Sequence, residues 1–186
     1  MFKENFLELI ENKISLDDIG KKFFVIIGVS PSKNARSPIL WNAAFKKHKK
    51  KFKMIPLDVK KKNIGKVINL LKKNPNFYGG AITNPYKEFI YEKFKKNADK
   101  ITNQIKSVNC FYRKKKNFFV TNTDGEAAIM SFKEKFKIIR RDKILIMGFG
   151  GVGKSVAFYF NNESKIKKSK LIVSTRYKNI NQKKFK

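Results

Sequence analysis

The chain has 186 residues, 41% of them hydrophobic, enough to bury a core in one full domain and part of a second, and too many for general disorder. Its formal net charge is +30, from 44 Lys+Arg against 14 Asp+Glu. The basic residues are mostly lysines scattered over every segment, which reads as composition and against a dedicated nucleic-acid surface, although such a field attracts anionic ligands in general. No apolar run approaches the roughly 18 residues of a membrane span, no signal-type stretch follows Met1, and the lone Cys110 excludes an internal disulfide and suits a cytoplasmic protein.

Along the chain, strand and helix patterns alternate. Residues 2–13 carry a helical spacing of Phe2, Phe6, Leu7 and Ile10. Residues 23–27 are a buried-strand run that stops at Gly28. Residues 38–48 read as a helix with Ser37 as N-cap and Pro38 at its first position. Within it, Trp41 and Phe45 read as core and His48, among lysines, as solvated. A second strand covers 52–57. A helix over 61–73 puts Ile64, Val67, Ile68 and Leu71 on one face. A third strand covers 77–83, and helices follow over 85–95 and 98–105. Residues 107–112 and 118–121 form a strand pair with a turn at 114–117. A helix over 124–136 leads to a strand at 143–147, a helix at 152–160 and a strand at 171–175. This order predicts an α/β protein: a mostly parallel α/β domain over 1–123, then a truncated Rossmann-like dinucleotide-binding unit over 124–186. A single βαβ half leaves sheet edge and apolar face open, so it calls for repacking, a homodimer partner or a complementing chain.

Residues 148–155, Gly-Phe-Gly-Gly-Val-Gly-Lys-Ser, fit two phosphate-binding motifs at once. Gly148, Gly150 and Gly153 fit the dinucleotide fingerprint, with Gly151 in the same turn. Gly148 and Gly153-Lys154-Ser155 fit a P-loop. Both need a strand, a tight turn and a helix whose N-terminal N–H groups face an anion. A P-loop enzyme also needs an acidic metal ligand at the end of another strand, and no acid follows Glu163. A dinucleotide fold instead reads the adenosine ribose about 20 residues past the glycines, where Arg suits the 2′-phosphate of NADP. Arg176 stands there, which favours an NADP-type half-site, and Lys154 adds charge toward a phosphate.

Three polar clusters fall at the ends of apolar strands, where open α/β sheets bind ligands. They are residues 34–38, with Ser37; residues 83–87, with Thr83 and Lys87; and Asn109 together with residues 122–125, which include Asp124. Hydroxyls, amides, one ammonium and one carboxylate suit a small polyhydroxylated molecule. Taken singly, each has a plain structural reading: a surface lysine, or an N-cap for Ser37 and Asp124.

Taken together, Ala35-Arg36-Ser37-Pro38, Ala81-Ile82-Thr83-Asn84-Pro85-Tyr86-Lys87, Ser107-Val108-Asn109-Cys110, Asn122-Thr123-Asp124-Gly125 and Gly148-Phe149-Gly150-Gly151 resemble, in order and spacing, the shikimate dehydrogenase family. The resemblance implies reduction of 3-dehydroshikimate to shikimate with NADPH. It makes Lys87 and Asp124 the catalytic pair. It assigns Thr83 and Asn109 to ring hydroxyls, Ser37 to the substrate carboxylate, and the glycines with Arg176 to the cofactor. An ammonium beside a carbonyl can stabilise the developing alkoxide and donate a proton, and a carboxylate beside the lysine orients it. No metal is implied. Ala35 and Ala81 depart from the pattern, at places where the family has a serine and an asparagine. They leave a non-catalytic relative as the alternative.

Overall fold

The computed structural model describes residues 6–136, 143–162 and 170–175. The start of the expected first helix, and Arg176, lie outside the described residues. The elements are α1 (Leu16–Gly20), β1 (Phe23–Gly28), α2 (Pro31–Asn34), α3 (Ser37–Lys47), β2 (Lys53–Asp58), α4 (Ile64–Lys73), β3 (Phe77–Ile82), α5 (Lys87–Phe94), a 3₁₀ turn (Lys95–Asn97), α6 (Lys100–Ile105), β4 (Cys110–Lys114), β5 (Asn117–Thr121), α7 (Asp124–Lys135), β6 (Lys143–Met147), α8 (Gly151–Asn162) and β7 (Lys170–Ser174).

Apolar runs without alternation belong in strands covered on both faces. Phe23–Gly28 is such a run, and β1 sits inside a five-stranded sheet of order β2-β1-β3-β4-β5. β1 pairs in parallel with β2 and β3, whereas β3–β4 and β4–β5 are antiparallel. β6 and β7 form a separate parallel pair. The result is the α/β architecture expected, with a parallel centre and an antiparallel hairpin at one edge.

The main core gathers Phe23, Val25 and Ile27 of β1, Ile55 and Leu57 of β2, and the Ile64, Val67, Ile68 and Leu71 stripe of α4. Phe77 stacks on Phe118 at 5.6 Å, joining β3 to β5. A smaller cluster around Ile129 and Phe160 holds α7 against α8, with Ile144 and Leu171 packed on it from β6 and β7.

The structure differs from the sequence pattern in several places, the first being residues 8–13, expected as the end of the first helix and found as turn and bend. α3 begins at Ser37 itself, because Arg36 already has helical backbone angles and its carbonyl accepts the first helical bond, from Leu40 N at 3.1 Å. Ser37 is therefore not the N-cap. α3 buries none of its residues: Trp41 is 54% exposed, and Phe45 is half-buried against Phe24 and Phe52. The short helices α1 and α2 have too few residues to show a period.

Candidate active site

The segments after β3, before β4 and after β5 bring two of the three polar clusters together, those of Lys87 and of Asn109 with Asp124. Thr83 N donates to Ile27 O at 2.9 Å, which fixes the loop after β3 beside β1. The chain then passes through a cis Asn84–Pro85 bond into α5, with Lys87 as its first residue. Tyr86 anchors this corner from below: it is 2% exposed and donates to Val59 O at 2.6 Å, and burial pushes its phenol pKa up. On the other side, Val108 N donates to Lys87 O at 3.0 Å, tying the segment before β4 to the start of α5.

Lys87 Nζ lies 2.6 Å from Asp124 Oδ2, with the two side chains 15% and 20% exposed. Asn109 Nδ2 donates to the other carboxylate oxygen at 2.8 Å and to Thr123 Oγ1 at 3.1 Å, while Asn109 Oδ1 accepts from Thr123 N at 3.0 Å. The carboxylate is thus held from both sides. Asp124 is the first residue of α7, and its N–H donates to Asn122 Oδ1 at 3.0 Å. It is not the N-cap, a place taken by Thr123.

A cleft of about 720 Å³ opens between this corner and the glycine-rich turn, lined by Thr83, Lys87 and Glu88 on one side and by Gly148, Gly150 and Gly151 on the other. The turn suits a phosphate. Gly148 has φ +99°, a conformation that L side chains rarely adopt. A Cβ at Gly153 would collide with Gly148 O, whereas one at Gly150 would meet only open space. The twelve-residue α8 starts beside it at Gly151. A nucleotide phosphate fits these residues, held by the backbone of the turn.

Of the residues singled out from sequence, Lys87, Asp124 and Asn109 form one bonded cluster. Thr83 shares the cleft with Lys87, Gly148, Gly150, Gly151 and Gly153. Ser37 is half-buried at the start of α3 and is not among the residues that line this cleft. Lys154 pairs with Glu88 at 2.9 Å across the cleft. Ser155 does not act as a P-loop serine. Its fully buried hydroxyl donates to Asn122 Oδ1 at 2.7 Å and accepts from Gly125 N at 2.8 Å, so it has turned away from the cleft. Asn122 in turn donates to Ser107 O at 2.8 Å. Sequence reasoning missed this interior link between α8 and Asp124. The only signal for it was a polar residue within an otherwise apolar helix face.

The model of the shikimate dehydrogenase substrate binding domain matches residues 26–111. An NADP(+) shikimate dehydrogenase from Pyrococcus furiosus is 35% identical over 137 residues, covering 74% of this chain and 49% of the relative. One from Carboxydothermus hydrogenoformans is 32% identical over 133 residues, covering 72% of this chain and 46% of the relative. The chain thus spans about half the length of these curated relatives. Among solved structures, a shikimate dehydrogenase in complex with NADP+ superposes with a TM-score of 0.73 at 29% identity, covering 84% of this chain and 52% of that one. With the domain model, the curated relatives and the solved fold in agreement, the chain belongs to the shikimate dehydrogenase family.

Proposed function

We propose that this chain reduces the ring ketone of 3-dehydroshikimate to the hydroxyl of shikimate with NADPH. Residues 1–123 serve as the substrate-binding part and residues 124–186 as a partial cofactor unit. The observation that carries this reading is the Lys87–Asp124 pair, set 2.6 Å apart beside the cleft that faces the glycine-rich turn. A nicotinamide cofactor, when bound, would supply the hydride that the ketone needs. Lys87 stabilises the oxygen as charge grows on it and passes it a proton. Asp124, gripped by Asn109, keeps the ammonium aimed. Thr83 and Asn109 hydrogen-bond ring hydroxyls, and Ser37 takes the substrate carboxylate. Gly148, Gly150, Gly151 and Gly153 receive the pyrophosphate, and Arg176 the 2′-phosphate.

The test is shikimate-dependent reduction of NADP+ by the purified chain beside Lys87→Ala. Turnover in the parent and a loss of about 10²–10⁴-fold in the variant supports the proposal. A non-catalytic relative is the second reading, favoured by Ala35 and Ala81 where the family pattern has polar residues. No turnover at saturating shikimate and NADP+, with no heat of binding for either, would leave that reading standing.

A further inference from the structure

Gly28 is the buried last residue of β1. The positive-φ glycines among the described residues are Gly79, Gly80 and Gly148, so the backbone at Gly28 asks for no glycine. Space is what asks for it. A Cβ on Gly28 would collide with Thr83 Cγ2, and would lie 3.2 Å from Asn84 O and 3.4 Å from Pro31 Cδ. The Thr83 methyl thus occupies the place where a side chain at position 28 would stand. The Thr83 backbone is not free to back away, because its N–H donates to Ile27 O at 2.9 Å. A threonine side chain is stiff about its Cα–Cβ bond and takes discrete staggered positions. Seating the methyl on Gly28 therefore fixes the hydroxyl as well. Thr83 lines the cleft, and among the described residues no group is hydrogen-bonded to its Oγ1.

We propose that Gly28 is a positioning residue for substrate recognition. Its missing side chain lets the Thr83 methyl seat against the end of β1, and the seated methyl sets the rotamer in which the Thr83 hydroxyl meets a ring hydroxyl of the substrate. This rests on the reading given above, in which Thr83 binds the substrate ring, and adds to it the residue that aims Thr83. A methyl at position 28 takes the seat. Thr83 then turns to another staggered rotamer, which carries its hydroxyl about 120° around the Cα–Cβ bond. A hydrogen bond weakens steeply with such a change of direction.

The experiment is a double-mutant cycle on the full chain: the parent, Gly28→Ala, Thr83→Ser and the double variant, each titrated calorimetrically with shikimate and with NADP+. Thr83→Ser keeps the hydroxyl and removes the methyl that a Cβ at position 28 would meet. Gly28→Ala alone is expected to weaken shikimate binding about five- to tenfold, the loss of one hydrogen bond, while NADP+ binds as it does to the parent. In the Thr83→Ser background the same substitution should weaken shikimate less than about twofold. Parent-like shikimate affinity in Gly28→Ala overturns the proposal. So does an equal loss in both backgrounds, which marks a clash with Asn84 and Pro31 instead, and so does an equal loss for both ligands, which marks general damage to the fold. If Gly28→Ala does not fold, two results decide. Folding of the double variant together with weaker shikimate binding by Thr83→Val, which lacks the hydroxyl, supports the proposal, and failure of either overturns it. Failure of the parent to bind shikimate overturns the substrate reading itself, whereas equal binding by parent and Gly28→Ala overturns only the role of Gly28.

Discussion

Ser155 has the hydroxyl position of a phosphate-loop residue but spends it inside the protein, on Asn122 and Gly125. Ser155→Ala leaves the Gly125 N–H without an acceptor and Asn122 Oδ1 short of a donor. It should cost about 1–3 kcal/mol, read as a lower urea midpoint at unchanged slope. Asp124→Asn removes the charge that orients Lys87 while Asn109 can still bond the remaining oxygen. If the proposed activity holds, kcat should fall with KM for shikimate little changed, as steady-state kinetics would show. The Lys87–Asp124–Asn109 cluster could be read from the chain because each member sits at a strand end in a recognisable short motif. Ser107, Asn122 and Ser155 could not. Their bonds join residues 15, 30 and 33 positions apart, and no local period encodes such a meeting. Trp41 failed for the opposite reason: a large aromatic suggests burial, yet the helix that bears it packs through other positions.

That helix, α3, attaches to the sheet through Phe45 and through Asn42, whose amide donates to Met54 O at 3.0 Å and accepts from Met54 N at 2.7 Å. Asn12 does the same one step along, with Pro56 O at 3.0 Å and Asp58 N at 2.7 Å. The outer edge of β2 is thereby occupied by two side-chain amides, with Pro56, which has no N–H to offer, between them. Asn42→Ala should destabilise by about 1–3 kcal/mol and increase concentration-dependent association, since an open strand edge invites pairing. Light scattering beside a denaturation curve checks both. α6 is N-capped by Asp99, whose carboxylate accepts from Thr102 N at 2.7 Å. Burial raises the Asp99 pKa, but hydrogen bonds from Thr102, Thr121 and Ile101 outweigh it and leave the group below its ordinary 3.8. A depressed folded value means that the stabilisation is complete above the unfolded value and is lost as pH falls through the folded one. Asp99→Ala should cost about 1 kcal/mol at neutral pH, and its gap from the parent in urea midpoint should close in acid. A gap that does not change with pH would refute the capping account. α4, with four core residues at helical spacing, was plain in the sequence. α1 and α2 were not, because five and four residues are too few to show a period, even though α1 sends Ile19 into the core.

A net charge of +30 acts on the chain as a whole. Self-repulsion opposes compaction, so moderate salt should raise the melting temperature, by about 2–4 °C for each kcal/mol relieved. The Lys154–Glu88 pair runs the other way. It is partly exposed and worth less than about 1 kcal/mol, and a double-mutant cycle repeated at high salt should find its coupling gone. Calorimetry across a salt series separates the two signs. The division into a five-stranded sheet and a two-stranded one could be anticipated from the alternation of strands and helices. The manner of their joining could not, because it depends on close contact at Gly125, where a Cβ would collide with Ser155 O. That joining has a consequence in time. Among the described residues, β6 and β7 have each other and the small Ile129–Phe160 cluster for support, and Leu145 and Met147 remain 57% and 83% exposed. Their amide protons should therefore exchange with solvent through openings that leave β1 and β3 closed. The glycine-rich turn rides on the part that opens more often, so cofactor would meet a site that forms and dissolves many times within the life of one folded molecule.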